Sequence, residues 1–314
     1  MKRFCIKVVL FFCALAVILG VSCFTLPLKT AKSSLLTVQR SKLIRLQEIK
    51  GPRVILVGGS GLGQGMATAD FAAQIKRPVY NMGVHAGLGL VYQMSAVLPL
   101  LHQGDLVVLV PEYANFQGLH CYGDMELISL LVDILPEQRN YITIGHWMRL
   151  SDLILQYGAI KLRNLFVSRG PDRNPSGWYD DFGDQFWPRN CDAAEHRSLP
   201  PAKVLSSSDF TPDILFVIND FCSQANEKGT RVVLLPPAYL KSDYVRQREF
   251  IQAAAAALAQ NGTPFIAPPE RYALKDHYFF DTHYHLNLAG RKVRSGLMAE
   301  DIFRDFEKKD ANRQ

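Results

Sequence analysis

The sequence lacks most of the features that would name a nucleotide, a metal or a nucleic acid as ligand. Cysteine is scarce: there are six in 314 residues, and only Cys121, Cys191 and Cys222 lie beyond residue 28. An odd three permits at most one internal disulfide, and no Cys-x-x-Cys pair encodes a redox motif or a zinc ribbon. The net charge is +6. Its basic residues are dispersed, with no basic patch interleaved with aromatics, so nucleic acid is not an expected partner. No internal repeat and no low-complexity tract interrupts the chain. Charge itself is missing from one place. Between Lys7 and Lys29 run 21 residues with none, about 32 Å of helix at 1.5 Å per residue and enough to cross a bilayer.

That run makes residues 1–28 a signal anchor or a signal peptide. The length favours an uncleaved anchor. The alternatives are cleavage after Gly20-Val21-Ser22, giving a secreted protein, or acylation of Cys23. Positive charge is nearly tied across the run, with Lys2, Arg3 and Lys7 before it and Lys29, Lys32, Arg40 and Lys42 after it. One anchor ahead of one long domain places the body on the extracytoplasmic, periplasmic side.

The rest is globular in composition, with 48% hydrophobic and 20% charged residues. Residues 29–50 are basic and polar with interspersed Leu, Ile and Val, and read as a helical stalk. Strand-like apolar runs then alternate with helical patterns. Strands are expected at Arg53–Val57, 78–82, 105–110, 231–235 and 264–267. Helices are expected over 65–75, 88–101, 124–135, 142–167 and 252–260. Such alternation predicts a three-layer α/β/α domain over 51–308, flavodoxin-like, with a mainly parallel five-stranded sheet. Ligands of such sheets sit at the carboxyl ends of the strands, where Ser60 and Glu112 fall. Residues 168–212 are rich in Pro, Gly, Asp, Asn and aromatics, and read as an insertion, either a substrate platform or a surface loop pinned by its own aromatics. Residues 309–314 are a tail.

Two distant segments carry the chemistry. Val54-Ile55-Leu56-Val57-Gly58-Gly59-Ser60-Gly61 is a buried strand entering a glycine-rich turn. Asp281-Thr282-His283-Tyr284-His285-Leu286-Asn287 holds an acid and two histidines before a helix. A serine needs a base to take its proton, and the base needs an orienting group; the segments supply all three. The turn fails the dinucleotide fingerprint, because the third glycine would fall on Gln64 or Met66, and Asn81 stands where a ribose-binding acid belongs. It fails the phosphate-loop pattern too, having no Lys-Ser/Thr. Leu62 in place of a glycine departs from the α/β-hydrolase elbow.

Together the motifs resemble the SGNH (GDSL-like) hydrolase superfamily over residues 50–305. Gly58-Gly59-Ser60 is similar to its first block. Asn81-Met82-Gly83-Val84-His85-Ala86-Gly87 is similar to its second, and Asp281 to Gly290 to its last. The nearest branch is the membrane-anchored members that modify cell-surface polysaccharides. The resemblance implies Ser60 as nucleophile, His285 as base and Asp281 as its orienter. It implies an oxyanion hole from the Ser60 and Gly83 N–H groups. Two departures stand out. The third block's asparagine is absent from Val110-Pro111-Glu112-Tyr113-Ala114-Asn115-Phe116, leaving Asn115 as substitute donor. Asp281 and His285 are four apart rather than three, a spacing that still shares a helical face.

The implied activity is an esterase or O-acyltransferase, acetyl being the expected group, on a cell-envelope glycan and in company with partner proteins of a polysaccharide system. No cofactor is implied. Glu112, Tyr113, His85 and Trp178 are the candidate substrate contacts. Bland readings stand beside these: Glu112 as a buried hydrogen bonder, His85 as core filler, Asp281 as a helix cap, and Asp281-x-His283-x-His285 as metal ligands. An inactive SGNH-like scaffold is the alternative for the whole chain.

Overall fold

A computed structural model describes residues 1–28, 31–166, 175–186 and 201–311. In chain order the elements are α1 (Lys2–Thr25), α2 (Val38–Glu48), β1 (Val54–Gly58), α3 (Ser60–Gly63), α4 (Thr68–Ile75), β2 (Val79–Asn81), α5 (Leu90–Val97) and β3 (Leu106–Val110). There follow α6 (Met125–Ser129), α7 (Ile144–Arg149), α8 (Ser151–Asn164), α9 (Asp213–Glu227) and β4 (Arg231–Leu234). The chain ends through β5 (Tyr239–Leu240), α10 (Lys241–Arg246), α11 (Arg248–Gln260), β6 (Ala273–Leu274) and α12 (Leu288–Ala311).

The main sheet is parallel throughout, in the order β2-β1-β3-β4. It has four strands rather than five. The run expected at 264–267 makes a single parallel bridge, Leu234 to Phe265. Pro264 and Pro268 bracket it, and proline donates no ladder hydrogen bond. A small second sheet pairs β5 with β6.

Strand periodicity sorts the core onto two faces. Ile55, Val57, Val107 and Leu109 pack with residues of α2, α5, α9 and α11. Val54, Leu56, Leu106, Val108 and Val110 pack with Phe71 and Ile75 of α4 and Met298 and Ile302 of α12. Both faces of β1 and β3 are therefore buried, which is why these strands read as unbroken apolar runs. A buried ion pair registers their starts. Arg53 meets Asp105 at 2.5 Å with both side chains fully covered, and also donates to Leu46 O and Leu100 O.

α1 is the one described helix long and apolar enough to cross a membrane, as an anchor or a signal sequence would be. The stalk expected after it is not a spacer. Leu36, Val38, Leu43 and Leu46 are buried in the main core, and Lys42 is 1% exposed. The packed body thus begins near residue 35. The covered side of α2 carries Val38, Leu43 and Leu46 together with Gln39 and Lys42, so it is apolar only in part.

Candidate active site

β1 delivers Ser60 to the carboxyl edge of the sheet. The glycines there are demanded by packing. A Cβ on Gly59 would strike the Glu112 carboxylate, and one on Gly63 would lie 2.5 Å from Gly83 O. The backbone of block 81–87 is thereby pressed against the serine turn.

From the other end of the chain, residues 281–287 fold over the same edge. Thr282 Oγ1 accepts from the N–H groups of Tyr284 and His285 (3.3 and 3.0 Å), a local turn that aims the imidazole. Asn287 Oδ1 accepts from Gly290 N–H (3.0 Å) at the start of α12. Two arginines of α12 then clamp the serine turn from beneath. Arg294 donates to Gly61 O (2.5 Å), and Arg291 donates to Gln64 O and Gln185 O (3.0 and 2.5 Å). The distal segment and the glycine turn are thus one body.

The result is a chain of two hydrogen bonds across 225 residues. Ser60 Oγ lies 2.9 Å from His285 Nε2, and His285 Nδ1 lies 2.8 Å from Asp281 Oδ1. A carboxylate only accepts, so Nδ1 carries the proton and Nε2 is left to accept from the serine hydroxyl. The His285 side chain is 13% exposed and that of Asp281 37%, so the three face the surface through the serine and the acid.

His283 points elsewhere. Its Nδ1 lies 2.5 Å from Oδ2 of the buried Asp243. The two histidines diverge, and among the described residues no group of three His, Cys, Asp or Glu side chains is placed to hold a metal ion.

The other candidates are placed less simply. Gly83 lies beside the serine turn, but its N–H donates to Asn81 Oδ1 (2.9 Å), so it is not aimed at a substrate oxygen. Asn115 is buried, and its Oδ1 accepts from Glu112 N–H (2.9 Å) in a mutual cap of the turn Tyr113–Phe116. Glu112 is itself 5% exposed, and its Oε1 accepts from Gly61 N–H (2.9 Å). Burial pushes the Glu112 carboxyl up, while the Gly61 N–H and the Arg294 charge oppose the shift. It holds the serine turn from behind rather than meeting a ligand. Tyr113 is sealed in the core against Tyr239, so it lines no surface a substrate reaches.

His85 is half-buried, and its Nδ1 accepts from Gly87 N–H (3.1 Å). The next residue's backbone, Ala86, adjoins Gly59, so His85 belongs to the rim of the site. Trp178 is half-buried in a short turn that packs against Leu35–Thr37. The described part of the expected insertion is knitted into the body: Gln185 N–H donates to Gly63 O (2.7 Å), and Asp184 accepts from Thr68 and Asn81. Residues 168–174 and 187–200 of that insertion, Trp187 and Cys191 among them, lie outside the described residues.

Lys42 is the functional neighbour that sequence reasoning missed. Its ammonium donates to Asn81 O, Gly83 O and Gly183 O (2.9, 2.6 and 2.7 Å) and lies over the Tyr179 ring. Burial pushes it down to about 7, against the pull of Asp184 and Asp180. The sequence carries a signal for Arg291 and Arg294, an i,i+3 pair opening the last helix, but none for Lys42.

No protein-family model matches the chain, and no curated protein matches it.

Proposed function

We propose that the protein is an SGNH-type serine esterase or O-acyltransferase, with Ser60 as nucleophile, His285 as base and Asp281 as orienter. The observation that carries this reading is the continuous Ser60–His285–Asp281 hydrogen-bond chain at a strand's carboxyl end. The sheet order, with Phe265 bridging beyond β4, supports a flavodoxin-like architecture.

In this mechanism Ser60 Oγ attacks the ester carbonyl as its proton passes to His285 Nε2. The imidazolium is stabilised by Asp281 and returns the proton to the leaving alkoxide. Water or a sugar hydroxyl then takes the acyl group from Ser60 by the reverse path. The Ser60 N–H, in the first turn of α3 where no intrahelical acceptor exists, is the donor available to the oxyanion. The substrate class is an acylated cell-envelope glycan on the extracytoplasmic side, acetyl being the expected group.

The test is covalent labelling with a fluorophosphonate probe. The serine oxygen displaces fluoride from phosphorus, so wild type labels at Ser60 and Ser60→Ala does not. Equal labelling of the two, or none in wild type, removes the proposal. A second reading, an inactive scaffold in a polysaccharide system, is favoured by the engagement of Gly83 N–H and the burial of Asn115. It predicts glycan binding without labelling.

A further inference from the structure

We propose that α1 stays on the mature protein and that α7 and α8 form a lipid-facing surface, with α8 sunk beside α1 into the bilayer leaflet nearer the body. The proposal does not depend on the catalytic reading.

Helix length is the first ground. A hydrocarbon core of about 30 Å needs about 20 helical residues. α1 has 24, and the body packs on one face of its last third while Val17, Ile18, Val21 and Phe24 stay exposed. Exposure is continuous from Lys2 to Leu15; Ala16, Leu19 and Gly20 are then half-covered, and Ser22 and Cys23 are buried. The stretch that stands free of the body on every face is about 21 Å long at 1.5 Å per residue. It cannot cross alone. If α1 spans the bilayer, its contact with α8 lies inside the hydrocarbon.

The contact is built as helices pack in lipid, through a small residue that lets backbones touch. A Cβ on Gly158 would collide with the Leu19 carbonyl. Lys161 Nζ donates to Cys23 O at 2.6 Å, and the Phe24 ring meets Trp147 of α7 with centroids 6.2 Å apart. Lys161 does not enter lipid as a bare charge. It pairs with Asp133 at 2.8 Å, with both side chains buried, and Asp133 also accepts from Tyr157 O–H at 2.7 Å. A chain cut before Cys23 would leave the Gly158 face of α8 bare.

Apolar side chains on the outer surfaces of the two helices fit the same environment, with Arg149, Asp152 and Gln156 exposed beside them. Phe166, just past α8, is 89% exposed, and Ile144 and Met148 of α7 are 79% and 70% exposed. Ile160 and Leu165 add to the patch. Side chains of this size left bare on a soluble face lose the burial that an apolar phase restores. Exposed Arg163 has the stem length to reach the headgroups.

The experiment uses full-length protein in nanodiscs of phosphatidylcholine and phosphatidylglycerol. One nitroxide is placed at Phe166→Cys, Ile160→Cys, native Cys13 or Val245→Cys, with the other cysteines replaced. Collision with oxygen is compared with collision with a water-soluble nickel chelate. The expected result is that labels at 166 and 160 share the oxygen preference of Cys13, while Val245 shows the aqueous ratio. Labels at 166 and 160 matching Val245 overturn the proposal. Gly158→Leu should shift the label at 166 toward the aqueous ratio and leave Cys13 in lipid; an unmoved 166 label overturns the docking. The intact mass of the purified chain should include α1, and a mass beginning at or after Cys23 overturns it as well.

Discussion

Lys42→Met removes an ammonium from a fully buried position and keeps most of its stem. Burial lowers the Lys42 pKa from 10.5 to about 7. Each tenfold change in proton affinity corresponds to about 1.4 kcal/mol. The sign follows from proton uptake. Below pH 7 both folded and unfolded chains hold the proton. Between about 7 and 10.5 the unfolded chain holds a proton that the folded chain has released, so stability rises with pH across that window. From pH 7 to pH 9 the gain is about 2 kcal/mol. Lys42→Met cannot show it, and the other titrating groups are common to both proteins. The assay is thermal unfolding of the full-length protein in detergent at pH 7, 8 and 9. The difference in Tm between wild type and variant should climb by about 4–8 °C over that range. Parallel Tm curves would refute the reasoning. They would mean that three carbonyl acceptors, matched to the three ammonium protons, outweigh the desolvation of the charge. The same variant frees the Asn81 and Gly83 carbonyls, the latter against Gly63 of the serine turn, so fluorophosphonate labelling should slow as well.

His285→Ala should lower the rate of fluorophosphonate labelling by about 10²–10⁴-fold, the usual contribution of a positioned base, with Tm measured beside it to show that the variant is folded. Asp281→Asn should lower it too, and its effect should largely vanish in the His285→Ala background, as it does when one residue acts through another; additive losses in the double variant would reject the relay. Glu112→Gln keeps an acceptor for Gly61 N–H and removes a carboxyl from beneath the nucleophile, so labelling at pH 8 should be no slower than wild type. Glu112→Ala should instead leave Gly61 N–H unpaired and lower stability by about 1–3 kcal/mol, read as a drop in Tm. Arg53→Met strands the buried Asp105 carboxylate and should cost about 3–5 kcal/mol; a Tm within about 2 °C of wild type, well below the shift that cost implies, would show that the pair contributes little.

The parallel sheet was legible because its central strands are buried on both faces. Val54–Val57 and Leu106–Val110 could hardly be anything else, and the helices between them followed from periodicity. The edges were not legible. Phe265 lies in a run that looks like a strand, yet Pro264 and Pro268 leave it one bridge. Residues 29–50 read as a stalk because basic residues dominate their composition. Composition does not say which side of a short helix is covered, and here the covered side includes a lysine. A buried Lys42 is invisible to any rule that reads charge as surface, because its three acceptors come from residues 81, 83 and 183 and meet only in the folded chain.

At the candidate site, the three residues that spacing singled out meet as a hydrogen-bonded Ser60–His285–Asp281 chain, while the expected oxyanion donors Gly83 and Asn115 are engaged within the protein. Asp281 and His285 are held by a local turn on Thr282, so their geometry is encoded in five consecutive residues. Oxyanion donors are backbone groups whose availability depends on what already binds them. Gly83 lies beside the serine turn, but Asn81 supplies the acceptor that engages its N–H. After β3, where the resemblance leads one to expect an asparagine, stands Glu112. Its longer side chain reaches across the strand end to Gly61 and fixes the serine turn from behind, using Asn115 as its cap. A carboxylate in that place opposes a developing oxyanion when ionised. Burial, which holds it toward the neutral form, and Arg294, which offsets its charge, both reduce that opposition. On the proposed reading the charge of Glu112 and the reactivity of Ser60 are therefore linked, and the comparison of Glu112→Gln with wild type across pH 6–9 measures the link. If Glu112 is neutral in the folded protein, the two profiles coincide. If it is ionised, the variant labels faster at every pH.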